Sequence, residues 1–221
     1  NIFYNRRYQV LGAQMARLAG ARNADYDARR QSLIDRARRR LAARDSGQPS
    51  FRQLALAAGV SVTTMRHYFD SRESVVAAVF EQSRAGAAPH LANARCPDSP
   101  DLCDSLRVFL ARVARGWTQG GVDSLHRIGL AEGLRDRNAG TQYLNEVLEP
   151  TLQALEQRLA AHIAGGTMRA ADTRHAALLL LSPLVLGLLH QHDLGGKRCR
   201  PLDLDALIHA QVEMFARAYQ V

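Results

Sequence analysis

The sequence predicts an all-α protein, with a small N-terminal helix-turn-helix domain of three helices ahead of a larger helical body. Three observations predict it. Apolar residues recur at three- and four-residue spacing almost throughout, and no segment sustains the two-residue alternation of a half-buried strand. Cap residues stand where helices should begin, Ser50 and Ser61 among them. Two short apolar-faced segments meet at one glycine, Gly59, the punctuation of a tight turn between helices.

The elements follow in order. Tyr8, Leu11, Met15 and Leu18 fall on one stripe that would suit a short helix in residues 1–26, an N-terminal extension that opens without an initiating Met and whose role stays open. A domain over 27–86 comes next. Leu33, Ile34, Ala37 and Leu41 make the inner stripe of its first helix, about 27–44, with Arg36, Arg39 and Arg40 as a solvated face. Ser50 and Gln53 form a capping box for a short helix lined by Phe51, Leu54, Ala55 and Ala58, which Gly59 ends. Ser61 caps the third helix, with Val60 and Met65 spaced for a hydrophobic staple. After a break at Asp70 and Ser71, a helix with Val75, Val76, Val79 and Phe80 runs to about 84, and 85–100 reads as the joint to a second domain, 87–221. There, Ser99 and Pro100 open a helix to Trp117, and Asp123 opens another to Asn138. A long helix over 141–164 should kink at Pro150, and helices over 172–192 and 203–219 close the chain.

Charge is divided unevenly. The chain carries a formal +8; residues 1–26 hold four Arg and one Asp, residues 27–86 eleven Arg and six acids, and the remainder fourteen bases and fourteen acids. A basic head on a neutral body suits a polyanion such as nucleic acid, because neutralised phosphates release counterions. Three scattered cysteines make no disulfide framework, no secretory leader is recognisable, and a cytoplasmic location is expected. The greasiest run, Ala176 to Leu189, at about 14 residues falls short of a membrane span.

The segment SFRQLALAAGVSVTTMRHYF, Ser50 to Phe69, has the shape of a helix pair in which the first helix braces a second that enters the major groove. At 100° per residue, Met65 and Phe69 turn inward while Thr63, Arg66 and His67 turn outward, where side chains can hydrogen-bond base edges. The run from Phe51 to Val75, with Leu54-Ala55, Ala58-Gly59-Val60-Ser61, Phe69 and Ser71-Arg72-Glu73, resembles the DNA-binding signature of the tetracycline-repressor (TetR) family. Ala131-Glu132-Gly133-Leu134 and Leu148-Glu149-Pro150 are further, weaker likenesses.

The resemblance implies that Arg52, Val62, Thr63 and Arg66 face bases, with His67 on the same outward face, and that Thr64, Tyr68 and Arg72 hold phosphates. Thr63 stands where the family often has a small residue, Arg66 where an aromatic is usual, Tyr68 where His is usual, and Arg72 where Lys is common. Tyr hydroxyl and guanidinium still donate to phosphate, but base preference does not transfer. The resemblance further implies a ligand-binding and dimerisation body. Leu180, Leu184 and Leu188, with Leu204, Leu207, Ile208, Val212 and Phe215, make stripes for a homodimer seam. Phe109, Val113, Trp117, His126, Leu130, Tyr143 and Leu148 are candidates to line a pocket for an apolar or aromatic effector.

The expected function is a DNA-binding transcriptional regulator, a repressor that binds a palindromic double-stranded operator as a homodimer and is released by a small effector. Two alternatives stay open: an effector-free regulator answering to a protein partner, and an all-helical enzyme. No phosphate-cradling glycine loop, glycine-flanked nucleophile or paired metal-ligand spacing marks the chain, so catalytic residues, cofactor and metal are expected to be none. His90, Cys96 and Cys103, and His190, His192 and Cys199, lie close in sequence without that spacing.

Overall fold

The computed structural model describes residues 24–44 and 47–221; the stripe of Tyr8, Leu11, Met15 and Leu18 lies outside them. Two compact units divide the chain, one through Val79 and one from Phe80. The division falls inside a helix rather than in the joint expected over 85–100.

The first unit holds α1 (24–41), α2 (Phe51–Ala57), α3 (Val62–Tyr68) and the start of α4 (Arg72–Ala94). Its core is Leu33, Ile34 and Ala37 from α1, Leu54, Ala55 and Ala58 from α2, Met65 and Phe69 around α3, and Val75, Val76, Ala78 and Val79 from α4, none more than 3% exposed. At about 1.5–3 kcal/mol for each large side chain, this burial outweighs the poor intrinsic stability of two seven-residue helices. The capping box forms as its sequence predicts: Ser50 N–H donates to Gln53 Oε1 at 2.8 Å, and Gln53 N–H to Ser50 Oγ at 3.3 Å. Gly59, at φ +72°, ends α2 in a left-handed turn in which its N–H donates to Leu56 O and that of Val60 to Ala55 O. Arg36, assigned to a solvated face by its spacing, instead donates to Ala58 O at 2.8 Å and covers the end of α2.

α4 does not stop near 84. The alanine-rich run that follows continues the helix to Ala94, with Pro89 inside it at the cost of one backbone hydrogen bond. The second unit then holds α5 (Leu102–Gln119), α6 (Val122–Gly133), α7 (Arg137–Tyr143), α8 (Glu149–Ala164), α9 (Thr173–Leu188), the short α10 (Gly196–Cys199) and α11 (Leu204–Tyr219). Asp101, rather than Ser99 and Pro100, opens α5 by accepting from Asp104 N–H at 2.7 Å. The single helix expected over 123–138 is two, because Asp136 caps a new start by accepting from Ala139 N–H, and because Gly133 and Gly140 let α6 and α7 cross closely. A Cβ on Gly133 would lie 2.8 Å from Gly140 Cα.

Two π-helical turns were not foreseen. One, Leu144–Leu148, joins α7 to α8 and leaves Pro150 in the first turn of α8, where its missing N–H is harmless. The other, Leu189–Asp193, prolongs α9, so that the continuous helix Thr173–Asp193 reaches 21 residues, with a mean hydropathy of 1.3 over an 18-residue stretch. That is long and apolar enough to cross a membrane, contrary to the shorter run read from the sequence. In this fold, however, it buries Ala176, Ala177, Leu180, Leu181, Leu184 and Leu188 in the core of the second unit.

A fully buried arginine ties that unit together. On α8, Arg158 donates from Nε to Ala94 O at 2.8 Å, from Nη1 to Ser105 Oγ at 2.9 Å and to Asp98 at 3.0 Å, and from Nη2 to Cys96 O. Its guanidinium lies 5.6 Å from the Phe109 ring centroid. The carbonyl of Ala94 at the end of α4 and that of Cys96 just beyond it are thereby satisfied by a side chain from another helix.

Candidate functional site

The outward face of α3 is open. Ser61 Oγ accepts from Thr64 N–H at 3.0 Å and fixes the start of the helix, while buried Met65 and Phe69 set its rotation. Thr63, Arg66 and His67 are consequently exposed, as is Arg52 on α2, and Val62, Thr64 and Tyr68 are half-buried beside them. Arg66 is exposed with its guanidinium 6.0 Å from the Phe51 ring centroid of α2, at the limit of a weak cation–π contact. Thr64 Oγ1 is shared with Ser61 Oγ at 2.9 Å. Arg72 donates its Nε to Pro49 O at 2.7 Å, joining the start of α4 to the entry of α2.

Tyr68 has a neighbour that sequence spacing did not reveal. Tyr26 of α1 stacks on it with centroids 4.7 Å apart and planes 26° apart, and His67 stands edge-on to both rings. Arg30, one turn further along α1, sits 5.2 Å from the Phe69 centroid. A break of some 40 residues separates these partners in sequence, so no local pattern signals the cluster.

Of the seven residues expected around a pocket, the structure brings three together. Trp117 of α5 stacks on His126 of α6 with centroids 4.5 Å and planes 17° apart, and His126 Nδ1 shares a 2.6 Å hydrogen bond with Tyr143 Oη of α7. All three are buried. Burial pulls the His126 imidazole down to about 4 and pushes the Tyr143 phenol up to about 12, so both are uncharged at neutral pH. Trp117 Nε1 has no hydrogen-bond partner. Gly129 makes room for the Tyr143 ring, since a Cβ there would overlap Tyr143 Cδ2. Two further residues that the sequence did not mark adjoin the cluster: Phe80, 6.2 Å from the Tyr143 centroid, and Arg127, paired with Asp123 at 3.0 Å and with Asp193 at 2.7 Å. Phe109 lies instead under Arg158, Val113 and Leu148 flank the main core, and Leu130 is half-buried on α6.

The residues expected at a dimer seam lie mostly on the inward faces of their helices. Leu180, Leu184 and Leu188 on α9, and Ile208, Val212 and Phe215 on α11, are buried in the core of their own chain, and Leu204 and Leu207 are half-buried against Gly187. α9 is apolar nearly all round, so its period alone does not say which face turns inward. The open face carries Leu179, Pro183 and Leu186 on α9 and Ala206, Ala210 and Met214 on α11, with Leu179 at 60%, Leu186 at 64% and Met214 at 70% exposure.

Comparison with known proteins agrees with this architecture. A family model described as the C-terminal domain of AefR-like transcriptional repressors matches residues 104–221, more than half of the chain. Among solved structures, Salmonella enterica GusR is 20% identical at a TM-score of 0.67, with 86% of this chain and 96% of that one covered. The flavonoid-responsive regulator FrrA is 23% identical at a TM-score of 0.66, covering 88% and 98%. SmeT, the repressor of the Stenotrophomonas maltophilia multidrug efflux pump SmeDEF, is 17% identical at 0.63, covering 87% and 90%. No curated protein matches. A helix-turn-helix head followed by a body that the family model recognises over most of its length makes this chain a member of the TetR family of DNA-binding transcriptional regulators.

Proposed function

We propose that this regulator is a repressor that binds a palindromic operator as a homodimer and leaves it when an uncharged aromatic molecule occupies the body. It acts on DNA in the cytoplasm and has no catalytic role. The open face of α3 carries this reading: Thr63, Arg66 and His67 are exposed on a helix whose rotation is fixed by buried Met65 and Phe69. Arg52, Val62, Thr64, Tyr68 and Arg72 would complete the contact. Two copies related by a two-fold axis need half-sites on one side of the duplex. Selection of the operator from random DNA tests this directly. Arg66→Ala should then cost about 1–3 kcal/mol and relax one base position. Equal losses on operator and random duplex would remove Arg66 from base reading.

The apolar open face of α9 and α11 supports the homodimer, because such a stripe is rarely left in water. The neutral Trp117–His126–Tyr143 cluster supports an uncharged aromatic effector, and FrrA, of the same fold, is itself described as flavonoid-responsive. Control requires only that the effector bind the DNA-incompetent state more tightly, and linkage then makes DNA weaken the effector equally. A molecule found by thermal shift should lower operator affinity about 5- to 150-fold, the range set by 1–3 kcal/mol of coupling. Tight binding without any change in DNA affinity would argue for control by a protein partner.

A further inference from the structure

Tyr68, the last residue of α3, is half-buried, and the side chain that lies flat against it comes from α1. The inner stripe of α1, formed by Ala37, Ile34 and Leu33, continues at three- and four-residue spacing through Arg30 to Tyr26, beyond the last of the core residues. Arg30 sits 5.2 Å from the Phe69 centroid, and Tyr26 stacks on Tyr68 at 4.7 Å with planes 26° apart. One face of α1 thus grips two consecutive residues at the end of α3. His67 closes the group, edge-on to Tyr26 at 5.8 Å and to Tyr68 at 5.1 Å.

The stack stands at the edge of the core rather than in it. Tyr26 is 37% exposed, against 3% or less for Leu33, Ile34 and Ala37. Nor does its setting suit a phosphate of its own, because Asp25 and Asp27 flank it, both exposed, and carboxylates repel phosphate. Its effect passes through the ring it covers. An unsupported phenol at a helix end samples several rotamers, and fixing it when DNA arrives costs affinity. A stacked neighbour makes that selection in advance.

We propose that Tyr26 is a positioning residue of the DNA interface, whose stack, with the edge contact of His67, holds the Tyr68 phenol where its hydroxyl donates to a phosphate of the duplex. Phosphate contacts of this kind set the register of α3 on the duplex without reading a base. The inference rests on the operator reading, and adds to it a residue from a helix that does not itself enter the groove.

The test uses the full chain and the selected operator, with single phosphates replaced one at a time by uncharged methylphosphonate. Tyr68→Phe, which keeps the stack and removes the hydroxyl, should lose the penalty that the native protein shows at one phosphate in each half-site. Tyr26→Ala should weaken the operator about three- to tenfold and lose the penalty at that same phosphate, while the penalty of Arg66→Ala stays as it was. Tyr26→Phe should behave as the native protein. Tyr26→Ala combined with Tyr68→Phe should be no weaker than the sum of the two losses predicts, and clearly stronger if one acts through the other. Tyr26→Leu separates positioning from cover, since it keeps an apolar side chain without a ring, and it should match Tyr26→Ala. Native phosphate sensitivity in Tyr26→Ala or Tyr26→Leu would overturn the proposal, as would strictly additive losses, or a Tyr26→Phe as weak as Tyr26→Ala. Failure of the operator reading would look different: the native protein would then bind operator and random duplex equally.

Discussion

Arg158 shows how much one buried side chain can hold. It has no exposed surface, and its donors reach the Ala94 carbonyl that ends α4, the Cys96 carbonyl just beyond it, the Ser105 side chain on α5 and the Asp98 carboxylate. Arg158→Met keeps the stem but strands those carbonyls, and should lower unfolding free energy by roughly 3 kcal/mol in urea titrations. His126 gives stability a pH dependence of defined sign. Its folded value lies near 4 and its ordinary value near 6.5, so the unfolded chain takes up the proton first as pH falls. Its contribution is complete above about pH 6.5 and is lost progressively down to about pH 4, amounting to roughly 3 kcal/mol. His126→Asn should flatten the unfolding midpoint across that window; an unchanged slope would assign the effect to another group.

At the scale of the element, α6 and α7 depend on the absence of side chains. Gly129→Ala should destabilise by about 1–3 kcal/mol, and the penalty should shrink when Tyr143 is also changed to Ala, since the clash is with that ring. Such pairings mark the limit of what was legible in the sequence. The capping box of Ser50 and Gln53, the Ser61 cap and the Gly59 turn were readable because each is settled within six residues. The extent of α4 was not, because Pro89 and Gly86 read as breakers while their alanine neighbours and the Arg158 hydrogen bonds carry the helix on to Ala94. The exposed face of α3 followed from its period, but the Tyr26–Tyr68 stack joins residues far apart in sequence and leaves no periodic trace. The cluster of Trp117, His126 and Tyr143 was found as a set of residue types, whereas Arg127 and Asp193, 66 residues apart, became partners only through the second π turn.

For the whole molecule, the proposed homodimer would use the outer face of α9 and α11, while their inner face holds the fold. Leu179→Glu with Leu186→Glu should halve the mass observed by light scattering while leaving the thermal midpoint nearly unchanged. Leu184→Ala should instead cost about 2–5 kcal/mol of stability, since that side chain is fully buried in its own chain. A dimer that persists in the double Glu variant would move the seam to another surface. The same helix passes the length and composition of a membrane span, yet one side of it is the inner wall of a folded core. The outer stripe of Leu179, Pro183 and Leu186 runs over about two helical turns and suits a partner helix.

The stack of Trp117 on His126 also has an optical consequence. The chain contains a single tryptophan, so all of its indole emission arises from one ring lying flat against one imidazole. Imidazolium quenches indole far more strongly than neutral imidazole does, and a buried indole emits to the blue of a hydrated one. Intrinsic fluorescence should therefore be bright and blue-shifted at neutral pH, fade as His126 takes up its proton near pH 4, and change at once if a ligand parts the two rings. The protein carries its own label at the place where an effector is expected. A fluorescence titration that leaves emission unchanged while the thermal midpoint rises would put the ligand elsewhere in the body.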